Sequence, residues 1–328
     1  MFSPRQLRCW DSLLTSQPAG TIQPKTGAIE KMFFVLFKID VRAPQTLRYW
    51  QCLSSLVTMY SPVLRGMRPF IAQINAMTSR ATQYRAALAT PSALFEIEIW
   101  RAAVIMALMS PPALAVPLHM FIKNPRNRNP YPTVSDTSPW RLCTALYCAQ
   151  SGDVLAWATY RLPYEKDVVC KSQVHREYLG HLLSIILMIK YAGTQQAAPL
   201  QYFWVNDNKG ALAWAEKNRC ASLASQYACM AVSQLHIQND IYMGSPIYRP
   251  GIDMGEIDAM SRMRDDETEA STRIKALCPG LTAHTQMHLA SPALDELFQL
   301  LCNPAITLTH KRDHHTAYMQ LHAILTRL

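Results

Sequence analysis

Four acidic residues lie far apart in this sequence, each where a predicted secondary-structure element begins or ends. Asp136 ends or interrupts a strand, Glu177 falls in the first turn of a long helix, Asp207 follows a strand, and Asp258 follows the last strand in a short helical turn. Carboxylate oxygens are the preferred ligands of hard divalent cations. Taken singly, each acid also has a structural interpretation, as a turn former, a helix-dipole partner, a helix cap or a solvated charge.

The last of these acids belongs to a dense local cluster. The segment RPGIDMGEIDAMSR holds Asp253, Glu256 and Asp258 within six residues, although the 328-residue chain has a formal net charge of +9. A Pro-Gly turn precedes the three acids, and Ser261 and Arg262 follow them. This concentration of acids in a basic chain marks the segment as a candidate functional element.

The elements predicted to position the acids follow the order β-β-β-α-β-α-β-α. Strands are predicted in TVSD, RLCTALYC and VLAWATYRL, and a Ser-Gly-Asp turn joins the last two as antiparallel neighbours. A helix over 172–191, the strand LQYFWVN, a helix pair over 209–237 and the strand DIYMGSPIY come next. This order is typical of a mixed sheet with helices on both faces.

The chain before residue 126 has a different pattern. Apolar residues at helical spacing predict helices over 45–60, 69–88 and 92–110, and Ser92 is a candidate N-cap for the last. The stretch IKNPRNRNPYPTVSDTSP, with four prolines and three asparagines, separates the two patterns. We therefore expect a basic, mostly helical region over 1–125, an α/β domain over 126–265 and a C-terminal helical extension over 266–328.

The motifs around the four acids resemble the RNase H domain of retroelement polyproteins, in particular those of gypsy-like and DIRS-like reverse transcriptases. They read Asp136-Thr137-Ser138, His175-Arg176-Glu177-Tyr178-Leu179, Asn206-Asp207-Asn208, and Pro250-Gly251 with Ile257-Asp258-Ala259-Met260-Ser261-Arg262. The resemblance implies an α/β, RNase H-like mixed five-stranded sheet with helices on both faces. It also implies that Asp136, Glu177, Asp207 and Asp258 are the catalytic and metal-binding residues. Thr-Ser-Pro-Trp after Asp136, Met254-Gly255 and Ile257 depart from the family pattern without removing a carboxylate.

The chemistry implied by this resemblance is hydrolysis of the RNA strand of an RNA–DNA hybrid. Two divalent cations about 3.5 to 4 Å apart can activate the attacking water and stabilise the leaving oxyanion. Mg²⁺ prefers oxygen ligands, so we expect two Mg²⁺ or Mn²⁺ ions and no small-molecule cofactor. Without the metals, four neighbouring carboxylates would raise one another's pKa values.

The resemblance extends upstream, over most of residues 18–262. AGTIQPKTGAIEKMFF is similar to the end of a reverse transcriptase palm, RYWQCLSSLVTMYSPVLRGMRPF to the helical thumb, and ALFEIEIWRAAV to the connection. The Tyr-x-Asp-Asp turn of a polymerase active site is absent from the sequence. The resemblance thus implies the C-terminal part of a reverse transcriptase without its polymerase core.

Basic residues concentrate in the first third of the chain. Residues 1–130 hold 15 Lys and Arg against 5 Asp and Glu, a net charge of +10. Such a surface suits contacts with a sugar-phosphate backbone, and a solvated basic face is the alternative. The candidate nucleic-acid contacts are Arg65, Arg68, Arg80 and Arg85, together with Asn208 beside the third acid.

Three other interpretations stay open on the sequence alone. The first is a remnant that binds nucleic acid without cutting it. A transposase or integrase on a similar sheet is the second, although it would need a different last acid on a long helix. The third is different chemistry at another site. A metal cluster would use His310, Asp313, His314 and His315, whereas a Cys-His hydrolase would use Cys143 or Cys148 as its nucleophile.

The cysteine pattern and the hydropathy indicate a cellular compartment. The nine cysteines are scattered, odd in number and contain no Cys-x-x-Cys, which favours a reducing, intracellular environment, cytoplasm or nucleus, over secretion. The most apolar stretch is interrupted by Glu96, Glu98, Arg101 and a Pro-Pro pair, which predicts buried helices and no membrane contact.

Overall fold

A computed structural model of the chain resolves into two compact units. It describes residues 14–16, 21–38, 40, 42–64, 66–110, 116–117, 131–163, 172–193, 200–220, 223–263, 272–302 and 314–328. The helical unit comprises Met1–Ile122 with Thr309–Ala317, and the sheet unit comprises Lys123–Leu308 with Tyr318–Leu328. Much of the predicted C-terminal extension therefore belongs to the same unit as the sheet. Among the described residues, no helix is both long enough and apolar enough to cross a membrane.

The helical unit is built on four helices of the described chain, with short strands between them. The elements are β1 (Leu14–Ser16), β2 (Thr21–Pro24), α1 (Thr26–Phe37), β3 (Gln45–Thr46), α2 (Leu47–Tyr60), α3 (Ala72–Tyr84), β4 (Ala86–Ala87), α4 (Pro91–Met109) and β5 (Val116–Pro117). A 3₁₀ turn, Arg68–Ile71, precedes α3, so the helix predicted from residue 69 begins later. Trp50 and Trp100 are fully buried in its core.

Helix α4 begins at Pro91, one residue earlier than the sequence predicts. Its N-cap is Thr90, whose Oγ1 accepts a hydrogen bond from the backbone N–H of Ala93 at 3.2 Å. Ser92 was the expected cap, but it lies inside the first turn because Pro91 occupies the first helical position, where its missing N–H costs nothing. Thr46 caps α2 in the same way.

The sheet unit contains the predicted order of strands and helices. The elements are β6 (Tyr131–Thr137), β7 (Arg141–Tyr147), β8 (Val154–Arg161), α5 (Gln173–Gly193), β9 (Leu200–Asn206), α6 (Lys209–Lys217), α7 (Leu223–Gln238), β10 (Ile241–Met243), β11 (Ile247–Tyr248), α8 (Gly255–Ser261), α9 (Thr272–Leu277), α10 (Pro279–Thr282), α11 (Pro292–Cys302) and α12 (His314–Leu325). A 3₁₀ turn, Gly251–Met254, precedes α8.

The sheet has the strand order β8-β7-β6-β9-β10, with β11 also paired to β9. Strands β6, β7 and β8 form an antiparallel meander, whereas β9 is parallel to β6 and both β10 and β11 are parallel to β9. This mixed sheet with helices on both faces is an RNase H-like fold, and it confirms the predicted fold class.

The predicted last strand is divided in two. Between β10 and β11 the chain passes so close to Phe203 that a Cβ at Gly244 would lie 2.2 Å from Cε1 of its ring. Only glycine fits there, and Pro246 cannot donate a ladder hydrogen bond. The sheet therefore breaks at this point and resumes at Ile247.

Helices cover the sheet on two sides. Helix α5 packs so closely on one face that a Cβ at Gly180 would lie 2.9 Å from Cγ2 of Thr137. Helix α8 covers the other face through an apolar cluster, whose members include Val134, Cys143, Ala145, Trp157, Met254, Ile257, Met260 and Met263. Because side chains alternate along a strand, Asp136 shares this second face with Val134. Helices α5 and α8 therefore lie on opposite faces of the sheet near the end of β6.

Candidate metal centre

Three of the four predicted acids meet at one end of the sheet. Asp136 lies on β6, Asp207 directly follows β9, and Glu177 projects from α5. One carboxylate oxygen of each lies within 4.8 Å of the others. Parallel β6 and β9 bring their carboxyl ends to the same edge, which explains why residues 71 positions apart become neighbours.

Asp136 is almost fully buried and held by a residue of α8. Its Oδ2 accepts a hydrogen bond from Oγ of Ser261 at 2.6 Å. Burial raises the pKa of Asp136 to about 6, the Ser261 hydrogen bond opposes this, and the charges of Asp258 and Asp207 raise the pKa further. The carboxylate is therefore held in place while its ionised form is disfavoured.

Glu177 has none of its surface exposed. Gln173 Nε2 donates to its Oε1 at 2.7 Å and Asn206 Nδ2 donates to its Oε2 at 3.0 Å. Burial raises the pKa of Glu177 to about 8, the Asn206 hydrogen bond opposes the rise, and the charge of Asp136 adds to it. Glu177 is the fifth residue of α5, beyond the first turn where it was expected, so the positive end of the helix does not explain it.

Asp207 is partly buried beside the Pro-Gly turn. A Cβ at Gly251 would lie 2.9 Å from Oδ2 of Asp207, so the absence of a side chain at Gly251 lets the main chain approach this carboxylate closely. Burial and the charge of Asp258 raise the pKa of Asp207. Asp207 does not cap the following helix, because Asn208 is the N-cap and its Oδ1 accepts from the N–H of Ala211. The interpretation of Asp207 as the cap of that helix is therefore wrong.

Asp258 stands next to the three converging acids and outside their group. It lies on α8 and forms an ion pair with Arg262, one turn along, with Nη2 2.7 Å and Nε 2.9 Å from its Oδ1. Its charge still reaches Asp136 and Asp207, since it raises the pKa of each. The role of Asp258 as a fourth metal ligand stays a prediction.

The other acids of the local cluster differ from Asp258. Glu256 accepts hydrogen bonds from the backbone N–H groups of Gly280 at 3.0 Å and Leu281 at 2.6 Å, at the start of α10. Its carboxylate therefore joins α8 to α10. Asp253 is exposed in the 3₁₀ turn. One of the three clustered acids is thus structural, one is exposed and one adjoins the candidate metal centre.

Two residues at the site had no assigned role in the sequence. Asn206 is fully buried, and its Nδ2 donates to the carbonyl of Ser135 at 2.8 Å as well as to Glu177, so it connects β6, β9 and α5. Ser261 connects α8 to Asp136. The only sequence signal for either was its place within a motif that also holds an acid.

The combined geometry suits a cation. Burial raises the pKa values of all three carboxyl groups, and the charges of neighbouring acids raise them further. A hard divalent cation would offset the repulsion and take oxygen ligands from all three. The donor set therefore fits Mg²⁺ or Mn²⁺.

The predicted nucleic-acid contacts have varied surroundings. Arg65 lies outside the described residues. Arg68 is partly buried at the start of its 3₁₀ turn, Arg80 is exposed on α3, and Arg85 is exposed at the end of α3 with a left-handed φ of 62°. The side chain of Asn208 acts as a helix cap. Their contacts with nucleic acid stay predictions.

The alternative sites gain no support from the described residues. Cys143 is fully buried in the apolar cluster under α8, which removes it as a nucleophile. Cys148 is partly exposed, and hydrogen bonds from Ser151 lower its pKa. His310 and Asp313 lie outside the described residues, as do the side chains of His314 and His315.

Comparisons with known proteins give distant similarity. No protein-family model and no curated protein matches the chain. Among solved structures, the chain is similar to the foamy viral protease-reverse transcriptase in complex with an RNA/DNA hybrid, at 13% identity and a TM-score of 0.27, over 79% of this chain and 31% of that one. It is also similar to two complexes of the foamy viral enzyme with double-stranded DNA, at 12% identity and TM-scores of 0.25 and 0.23, over 37% and 44% of those chains. The chain thus spans less than half the length of each, and its function is argued from its own sheet order and side chains.

Proposed function

We propose that this chain is a retroelement-derived, RNase H-like nuclease that hydrolyses the RNA strand of RNA–DNA hybrids with two Mg²⁺ or Mn²⁺ ions. The observation that carries the proposal is the convergence of Asp136, Glu177 and Asp207 within 4.8 Å at the end of an RNase H-like sheet. The choice of substrate rests on the resemblance of the four motifs to retroelement RNase H domains. The basic helical unit is proposed as the thumb and connection that hold the nucleic-acid backbone.

The residues of the site have separate tasks in this proposal. Asp136, Glu177 and Asp207 would hold the metal ions, which activate water and stabilise the leaving oxyanion when bound. Asn206 and Gln173 fix the orientation of Glu177, and they do so from two different elements. Ser261 fixes Asp136 from α8, so these hydrogen bonds hold two of the three carboxylates in position.

The nuclease and the non-catalytic remnant differ in what they require of Asp258. Its Oδ1 is taken by Arg262. If Asp258 serves as the fourth ligand, it would bind through Oδ2 or after this exposed ion pair opens, which costs little because surface pairs contribute up to about 1 kcal/mol. The non-catalytic remnant, the second candidate function, does not require this carboxylate to bind a metal.

Cleavage of a labelled RNA–DNA hybrid by the full chain tests the proposal. We expect cutting of the hybrid in Mg²⁺ or Mn²⁺, loss of cutting in EDTA, and no cutting of single-stranded RNA or duplex DNA. Asp207→Asn should abolish cleavage and leave hybrid binding nearly unchanged. Asp253→Asn is the matched control, because it removes an exposed acid from the adjacent turn and should keep full activity.

Two results would count against the nuclease. Cleavage that persists in Asp207→Asn would show that these carboxylates are not its site. Hybrid binding without any cutting, in either metal, would favour the remnant.

A further inference from the structure

The helical unit has an apolar surface on the outer sides of α1 and α4. Seven large apolar side chains on these two helices are each more than a third exposed: Phe33, Phe34, Phe37, Ile105, Met106, Leu108 and Met109. Phe34 is 61% exposed and Met109 is 82% exposed, and the rings of Phe33 and Phe37 stack on each other with their centres 4.4 Å apart. We call this set the α1–α4 apolar face.

Helices α1 and α4 are antiparallel neighbours. Strand β2, which precedes α1, pairs with β5, which follows α4. At the other end of α1, the side chain of Arg101 in α4 donates to the carbonyl of Leu36 at 2.7 Å and lies over the ring of Phe37. Ile105 follows Arg101 by one turn and Phe33 precedes Phe37 by one turn, so the antiparallel arrangement places them side by side. The apolar face therefore continues from one helix to the other.

The area of the α1–α4 apolar face is larger than a monomer usually exposes. The exposed fractions of its seven side chains are together equivalent to about three and a half whole side chains. At roughly 200 Å² for each large side chain, this is about 700 Å² of apolar surface. The largest apolar patch of a monomer is about 300 to 600 Å², whereas each partner in a stable complex buries about 800 Å². The face therefore has the size of one side of a protein interface.

The charges on α1 are complementary to those of a second, antiparallel copy of α1. Glu30, Phe34 and Lys38 follow one another at four-residue spacing, so they form one line along the helix with an acid at one end and a base at the other. Nζ of Lys38 lies 4.7 Å from the centre of the Phe34 ring, so the base is on the same side as the ring. In the part of the chain that the structure describes, neither Glu30 nor Lys38 forms an ion pair. A two-fold axis at Phe34 would place Glu30 of each copy opposite Lys38 of the other.

We propose that the α1–α4 apolar face is the interface of a homodimer, in which α1 of one copy packs antiparallel on α1 of the other about a two-fold axis at Phe34. Burial of the aromatic and aliphatic side chains supplies the affinity, and the two pairs of Glu30 with Lys38 set the register. A second copy fits this face better than a nucleic acid does, because acids as well as bases lie along it. The inference is independent of the nuclease, since none of these residues belongs to the candidate metal centre.

The mass of the full chain in solution tests this interface without nucleic acid or metal. Sedimentation equilibrium at micromolar concentrations should give a dimer of about 74 kDa, twice the 37.1 kDa of one chain. Phe34→Glu should raise the dissociation constant of the dimer at least about 100-fold, because it places two like charges at the two-fold axis. Leu88→Glu is the matched control, since Leu88 is an exposed apolar side chain of the same unit outside the apolar face, and it should leave the dissociation constant unchanged.

A charge swap tests the register, and with it the choice of a second copy as the occupant. Glu30→Lys would place a lysine opposite Lys38 in both pairs and should raise the dissociation constant about tenfold, as expected for exposed ion pairs. Lys38→Glu should have the same effect, because it places two glutamates opposite each other. The double variant, Glu30→Lys with Lys38→Glu, should return to the wild-type constant because it restores opposite charges in both pairs.

Three results would overturn the homodimer. The first is a wild-type chain that stays monomeric at micromolar concentrations, and the second is a dimer whose dissociation constant Phe34→Glu leaves unchanged. The third is a double variant that dissociates as readily as the single variants, since α1 would then not pack on a second α1 in this register. A dimer that responds to the swaps as expected would support the interface even if the chain cuts no hybrid.

Discussion

Glu96 in the helical unit and Glu177 in the sheet unit are equally buried, with 1% and 0% of their surfaces exposed, but their neighbours differ. Oε2 of Glu96 accepts hydrogen bonds from the backbone N–H groups of Gln73 and Ile74 at 2.8 and 2.9 Å, at the start of α3. Glu177 instead faces two other carboxylates. Burial of an acid therefore does not mark a site, whereas burial of an acid among other acids indicates one, because a proton or a cation must neutralise the group.

The largest expected difference between the two glutamates concerns cleavage. Glu177→Gln should lower the rate of hybrid cleavage at least about 100-fold, since it removes a charged group that holds the metals. At pH values above about 8, where Glu177 is ionised, the metal-free variant should be as stable as the wild type or more so, because it no longer buries a charge. Steady-state cleavage and thermal unfolding in EDTA measure both effects. A variant with wild-type activity would contradict the assignment of Glu177.

The second expected difference between the two glutamates concerns the pH dependence of stability. The pKa values of Glu177 and Asp136, about 8 and about 6, lie above their ordinary values of 4.5 and 3.8. The folded state therefore holds protons that the unfolded state has released, and the melting temperature of the metal-free chain should fall as the pH rises from about 4 to about 8. Glu177→Gln should flatten this fall, and Mg²⁺ at pH 8 should reverse it. A melting temperature independent of pH in EDTA would contradict the prediction.

Glu96→Gln should have a smaller effect, confined to stability. Hydrogen bonds to a charged acceptor contribute more than those to a neutral one, so we expect the free energy of unfolding to fall by about 1 kcal/mol. Hybrid cleavage by the folded variant should equal that of the wild type. Urea unfolding at pH 7 gives the change in stability, and a loss of activity without a loss of stability would remove the distinction between the two glutamates.

The smallest predicted effect concerns Asp258. Arg262→Gln removes its partner and makes the carboxylate available, so the Mg²⁺ concentration for half-maximal cleavage should fall by up to about fivefold, as expected for an exposed ion pair. Metal titrations of cleavage by the two proteins measure this. An increase in the required Mg²⁺ would indicate that Arg262 supports the site and does not compete with it.

Strand alternation and element order are local signals, and they predicted the mixed sheet with helices on both faces. The three acids that converge were selected by the resemblance of their motifs to RNase H domains. The sequence could not predict the ion pair of Asp258, since Arg262 appears in it only as part of a motif. Nor could it assign the structural role of Glu256, because the partners of Glu256 are backbone groups of Gly280 and Leu281, more than twenty residues away. Such long-range contacts depend on packing that sequence periodicity does not contain.

Smaller errors in the predicted elements have local causes. The sequence predicted Ser92 as the cap of α4, whereas Thr90 is the cap because Pro91 is the first helical residue. The division of the last strand at Gly244 depended on the ring of Phe203, a residue of the neighbouring strand. In both cases the residue types were informative, but the deciding contact was visible only in three dimensions.

Residues after α10 pair with β8, the outermost strand at one edge of the sheet, and so cover part of that edge. An uncovered outer strand presents unpaired N–H and C=O groups that can add a strand from another molecule. Here Thr285 and Met287 occupy the main-chain groups of Trp157. A fragment that ended near residue 265 would keep all four acids but expose this edge, and we expect it to aggregate where the full chain does not.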